Sequence, residues 1–200
     1  MELRRLNKEE LTALYKDEMR FDFPHSELKP LSAMLRLIDM GCYEPFLAMA
    51  EAEPVGYALL WLTSEPSSAL LEYLGILRGK RNQGFGTEIL IQLKERYAQL
   101  FCEAEALESL DSEKMNLRYR RIAFYKRNGF RSLDYQCALF GVRFHALYCG
   151  AEKDDRKIEA LHRSVYADYF SPTHMERYIQ LPLHPGEKVK PAPEWIEENA

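Results

Sequence analysis

Between Tyr43 and Leu77 the apolar residues fall into three short runs, "YEPFLAMAE", "PVGYALLWL" and "SALLEYLGIL", separated by "AEP" and "TSEPSS". Runs this short, bounded by turn-forming residues, read as three strands of a meander. A basic stretch with three glycines, "RGKRNQGFG", follows directly. From Thr87 the spacing turns helical, with Leu90, Leu93, Tyr97 and Leu100 on one stripe. A sheet period that gives way to a helix period across a glycine turn requires a mixed fold and excludes all-α and all-β architectures.

The rest of the chain extends the pattern. "MELRRL" reads as a first strand, and "NKEELTALYKDEM" opens a helix with Asn7 as N-cap and Glu10 at capping-box spacing. "SELKPLSAMLRLIDMG" is a second helix with Leu31, Leu35 and Ile38 on one face and a stop at Gly41. After the glycine loop and its helix, "CEAEAL" is a weak strand. A charged helix then runs to Asn128 and stops at Gly129, and "FRSLDYQCALFGVRFHALYCG" forms two antiparallel strands. This order predicts an α/β (α+β) fold: a mixed, mostly antiparallel sheet of about seven strands with helices on both faces, over residues 1–150. Residues 151–200 form a C-terminal extension packed on that domain. It has an amphipathic helix through Ile158, Leu161, Val165 and Tyr169, and a short helix with Ser171 as N-cap and Pro172 in its first turn. The last twenty residues, with four of the ten prolines, are expected to lie extended.

Composition narrows the function classes. A formal net charge of -4 argues against a nucleic-acid binder. Cys42, Cys102, Cys137 and Cys149 share no ligand spacing with the histidines, so they read as buried thiols, with neither a disulfide frame nor a metal site. The polar N-terminus shows no signal peptide and no apolar run approaches a membrane span, so a soluble cytoplasmic protein is expected.

A strand, a glycine turn and a helix together make a general phosphate-binding device, because the first helical turn directs unpaired N–H groups at the ligand. Gly84 and Gly86 permit close backbone approach, and Arg78, Lys80 and Arg81 add positive charge. A Walker A loop needs Lys-Ser or Lys-Thr after its second glycine, whereas Gly86 is followed by Thr87 and Glu88. A dinucleotide fingerprint wants a small residue where Ile89 stands, and a parallel unit near the N-terminus.

The run Arg81-Asn82-Gln83-Gly84-Phe85-Gly86 resembles the R/Q-x-x-G-x-G/A signature of the GNAT superfamily of acyl-CoA N-acyltransferases. "RRIAFYKRNGF", Arg120 to Phe130, resembles the later helix of that family. One helix and one strand lie between the two motifs, as in the family. The resemblance covers roughly residues 1–150.

It implies acetyl transfer from acetyl-CoA to a primary amine by direct attack in a ternary complex, with no metal. The backbone amides of Gln83, Gly84, Gly86 and Thr87, within a loop that also holds Arg81 and Phe85, would carry the pyrophosphate. Ile76 and Leu77 would pair with the pantetheine arm on a splayed strand, and Gly75 beside them is compatible with a bulge. Asn116 would contact the arm. Tyr125 would protonate the leaving thiolate, or else simply pack its ring. Glu72, a carboxylate in an otherwise apolar run, would act as base through a water; the alternatives are a glutamate on a solvent-facing edge or paired with an arginine, or an amine that arrives deprotonated.

A non-catalytic acyl-CoA sensor remains the rival reading, since cofactor motifs carry binding and not chemistry. The expected acceptor is a small-molecule amine or a protein amine, bound largely by Asn7 to Gly41. The extension is a candidate cap for that site or a homodimer contact, with Trp195 as an apolar anchor.

Overall fold

The computed structural model of the chain describes residues 1–24, 27–108, 111–184 and 186–191. It divides into two compact units, Met1–Leu100 and Phe101–Ala200.

The first unit opens with β1 (Glu2–Arg5) and α1 (Lys8–Leu14). The capping box forms: Glu10 N donates to Asn7 Oδ1 at 2.8 Å, and Asn7 N donates to Glu10 Oε2 at 3.0 Å. Past α1 the helix widens into a π turn (Tyr15–Met19) and ends in the short α2 (Arg20–Asp22). The next helix, expected from Ser26, is shorter: α3 spans Leu31–Asp39. Pro30 explains the late start, because proline disfavours helical backbone in the residue before it and suits the N-terminal boundary itself. Ser26 lies outside the described residues. Met34 and Leu37 are the buried centre of α3, and Leu31, Leu35 and Ile38 flank it half-buried.

The meander forms as β2 (Tyr43–Ala50), β3 (Glu53–Leu62) and β4 (Ser68–Ile76). These strands and β1 lie in the order β1-β2-β3-β4, each antiparallel to its neighbour. β3 is buried without interruption from Val55 to Trp61, which explains why its sequence is a continuous apolar run. α4 (Phe85–Arg96) buries Ile89, Leu90 and Leu93. Tyr97 and Leu100, expected on its stripe, are buried from beyond its end.

β5 (Gln99–Glu105) crosses into the second unit, followed by α5 (Ser112–Arg127), β6 (Arg131–Leu139) and β7 (Val142–Cys149). Asp111 caps α5 by accepting from Glu113 N and Lys114 N, and Gly129, at φ +90°, turns the chain after it. α6 (Asp155–Ala167) buries Ile158, His162, Val165 and Tyr166, a stripe rotated from the expected one and carrying a histidine. After α7 (Pro172–Tyr178) comes an eighth strand, β8 (Ile179–Leu183), in the stretch read as helical and proline-rich. It pairs antiparallel with β6, giving the order β5-β7-β6-β8. Ile179, Leu181 and Leu183 alternate inward, a period too short to separate from the prolines by eye. Trp195 lies outside the described residues. Among the described residues no helix is long and apolar enough to cross a membrane.

Candidate active site

In the first unit the glycine loop joins β4 to α4 through residues held in left-handed backbone: Gly79 at φ +80°, Asn82 at +62° and Gly84 at +90°. Gln83 Nε2 donates to Gly79 O at 2.9 Å and so closes the loop on itself. Gly84 is the N-cap of α4, and its carbonyl accepts from Thr87 N at 2.9 Å and Glu88 N at 3.2 Å. A Cβ built at Gly84 meets nothing within 4 Å, so the approach to the first turn is open, while the positive φ penalises any L side chain there. Arg81, Asn82, Gln83 and Thr87 are exposed, and Phe85 and Gly86 are half-buried. An exposed glycine cradle at the positive end of a twelve-residue helix fits a diphosphate group.

β4 leads into this loop. Leu77 N donates to Val55 O at 3.0 Å, and Leu77 O accepts from Lys80 N at 3.0 Å, so both backbone groups of Leu77 are engaged. By the alternation of an antiparallel ladder, Ile76 turns its N–H and C=O away from β3. The bulge in β4 falls away from Gly75. Leu59 faces Tyr73 while Leu60 faces Leu71, which leaves Glu72 as the extra residue. Gly75 has a different purpose: a Cβ there would lie 2.1 Å from the Tyr57 ring, so only glycine admits that ring.

Glu72 is held on both oxygens. Lys29 Nζ lies 2.8 Å from Oε1, and the Tyr43 hydroxyl donates to Oε2. The same ammonium sits 3.5 Å from the centre of the Trp61 ring, a cation–π contact. Tyr73 staples the segment that delivers Lys29, accepting from Lys29 N at 2.8 Å and donating to Glu27 O at 2.9 Å. Burial, and then the Glu72 charge, push the phenols of Tyr43 and Tyr73 well above their ordinary pKa.

Tyr125 belongs to the second unit. It is buried on α5 and meets Phe124 and Phe130 edge-on at 5.3 and 5.4 Å between ring centres. Its hydroxyl donates to the sulfur of Cys102, and burial pushes the phenol far above its ordinary value and the thiol up to about 12. Asn116 is exposed in the second turn of α5, because that helix begins at Ser112. The arginines of α5 are partly neutralised: Glu105 takes Arg118 at 2.5 Å and Arg121 at 3.1 Å.

Three residues that composition and motif left unmarked are also engaged: Asp22 and Lys29 in the first unit, and Glu103 in the second. Asp22 Oδ1 lies 2.6 Å from Arg81 Nη2, and Glu103 binds His162, Tyr166 and Cys137. A carboxylate in the weak apolar strand "FCEAEAL" was the available signal for Glu103. Asp22 and Lys29 carried none, since their partners are remote in sequence.

The family model described as "Acetyltransferase (GNAT) family" matches residues 7–130. The chain therefore belongs to the GNAT acetyltransferase family, which makes it an acetyl-CoA-dependent N-acyltransferase acting on an amine acceptor. No curated protein sequence matches it. Solved structures share the fold. A GNAT-family protein from Bacteroides thetaiotaomicron superposes with TM-score 0.68 at 17% identity, covering 89% of this chain and 98% of that one. A ribosomal-protein-alanine N-acetyltransferase from Brucella melitensis gives 0.51 at 17% identity, covering 76% and 100%. A spermidine N-acetyltransferase mutant from Vibrio cholerae gives 0.51 at 12% identity, covering 74% and 91%.

Proposed function

We propose that the chain transfers an acetyl group from acetyl-CoA to a primary amine, small-molecule or protein-borne, by direct attack in a ternary complex. The observation that carries this reading is the loop at the head of α4, where left-handed Gly84 opens onto the first-turn amides. In this reading residues 1–150 are the acyltransferase domain and residues 151–200 its extension. The amides of Gln83, Gly84 and Gly86 hold the pyrophosphate; Thr87, whose own amide is taken up by Gly84 O, adds its hydroxyl. Ile76, with its backbone groups turned away from β3, pairs with the pantetheine arm next to Leu77. Asn116 lies along the arm.

Acetyl-CoA supplies the activated thioester carbonyl; the protein fixes it, takes a proton from the amine and returns one to the thiolate. Tyr125 returns the proton. The phenol is protonated at neutral pH, and it donates once it turns from Cys102 to the thiolate, away from the burial that makes it a weaker acid. Glu72 takes the amine proton through a water, held in place by Lys29 and Tyr43.

Calorimetric titration with acetyl-CoA and with CoA tests the reading, with binding in the micromolar range expected. Gly84→Val, which forces a β-branched side chain into φ > 0, is expected to weaken binding by about tenfold or more. Tyr125→Phe is expected to keep the affinity and lower kcat by about 10²–10⁴-fold, the usual contribution of a positioned acid. Failure of both ligands to bind would overturn the proposal, and unchanged turnover in Tyr125→Phe would remove Tyr125 from it.

A further inference from the structure

We propose that Asp22 sets the affinity for acetyl-CoA by holding Arg81 on the edge of β4, in a contact that cofactor binding has to open. The inference rests on the acetyl-CoA reading above and concerns a residue outside both sequence motifs.

Arg81 begins the R-x-x-G-x-G run, where a guanidinium would be expected to face the ligand. It is engaged elsewhere. Nη2 reaches Asp22 Oδ1 at 2.6 Å, and Nε donates to Ile76 O at 3.2 Å. That carbonyl is one of the two backbone groups Ile76 turns away from β3, the edge assigned above to the pantetheine arm. One side chain thus caps the arm's pairing position and has its charge neutralised beside the phosphate cradle.

The acid is anchored firmly. Asp22 is 8% exposed while Arg81 is 55% exposed, and its second oxygen accepts from Tyr57 OH at 2.8 Å. Tyr57 is fully buried in β3, with its ring in the space left by Gly75. Gly75, Tyr57, Asp22 and Arg81 form one chain of contacts from the sheet interior to the loop. The neighbouring cation differs: Lys80 pairs at 2.6 Å with Glu53, whose side chain is 67% exposed, and such a pair contributes little. A carboxylate fixed by a core hydroxyl holds its partner harder than a solvated one, because the acid cannot turn into water without breaking its second bond.

Opening the contact opposes binding, so removing the acid favours it. Asp22→Asn keeps an oxygen for Tyr57 and loses the charge; it is expected to tighten CoA binding about fivefold by calorimetry, with KM for acetyl-CoA falling and kcat unchanged. Arg81→Gln and the Asp22→Asn/Arg81→Gln double variant separate the contact from simple charge repulsion. The gain from Asp22→Asn should vanish when residue 81 is glutamine. Tyr57→Phe, which loosens Asp22 without altering any charge, should act in the same direction by a smaller factor, and it serves if Asp22→Asn fails to fold.

Unchanged or weakened CoA binding in Asp22→Asn and in Tyr57→Phe overturns the inference, as does a gain that persists without Arg81. A wild-type chain that binds no CoA refutes the parent reading instead, so the two failures are distinct.

Discussion

Glu72 and Glu103, both largely buried carboxylates, stand in different units, and their surroundings part in an instructive way. Each lies on a strand in a mainly apolar stretch, and each accepts from a tyrosine hydroxyl, Tyr43 for Glu72 and Tyr166 for Glu103. The side chains are 16% and 10% exposed. Glu72 is the bulged residue of β4, and its cation is an ammonium that also rests on Trp61. Glu103 is enclosed by donors: His162 Nε2 at 2.9 Å, Tyr166 at 2.8 Å and the Cys137 thiol at 3.4 Å all reach its Oε1. His162 is itself fully buried, stacked on Phe101, with its other ring nitrogen 3.2 Å from the Tyr135 hydroxyl. Glu103 therefore works as a staple tying α6 to β5 and β6. The comparison teaches that a lone carboxylate in an apolar strand has no fixed meaning. The donors that reach it decide how it is held.

The sharpest way to break the comparison is Glu103→Leu. It strands a buried imidazole, a phenol and a thiol at once, and removing one partner of a buried pair costs about 3–5 kcal/mol. Urea unfolding should show that loss, and a cost below about 1 kcal/mol would deny Glu103 the role of staple. Glu72→Gln comes next, at about 1–3 kcal/mol, because glutamine still accepts a bond and Lys29 keeps its place over Trp61. A loss equal to that of Glu103→Leu would erase the distinction between the two sites.

The smallest effect concerns His145, an imidazole bonded at 3.3 Å to the amide of Gln136 and not to a carboxylate. Burial, and then the Lys126 charge, hold its pKa below the ordinary 6.5. The unfolded chain binds this proton more readily, so the stabilisation is fully present above about pH 6.5 and is lost as pH falls through the lower folded value. His145→Gln should flatten that acid-side slope slightly in pH-dependent urea titrations. A slope unchanged in His145→Gln would deny this imidazole the linkage.

How much was legible varied with distance along the chain. The capping box at Asn7, the stop at Gly129 and the glycine loop before α4 could each be read from neighbouring residues. The late start of α3 was written in Pro30, yet the apolar spacing upstream pulled the expected boundary toward Ser26. Strand β8 was missed because five residues with one proline give a weak period, and what makes them a strand is the edge of β6. In the candidate site, the loop residues were legible as a group. The engagement of Arg81, the bulge at Glu72 and the true reason for Gly75 were not.

The sequence by itself determined the alternation of sheet and helix, the helix caps and the backbone of the glycine loop. Those features depend on dihedral preferences and hydrogen bonds spanning three or four residues, which neighbours alone can satisfy. Only the tertiary structure decided which acid meets which base. Asp22 finds Arg81 and Glu103 finds His162, each across 59 residues. Such pairings are set by strand order, by register and by the room a glycine leaves for a ring, and a charged residue carries no mark of the partner that folding will place beside it.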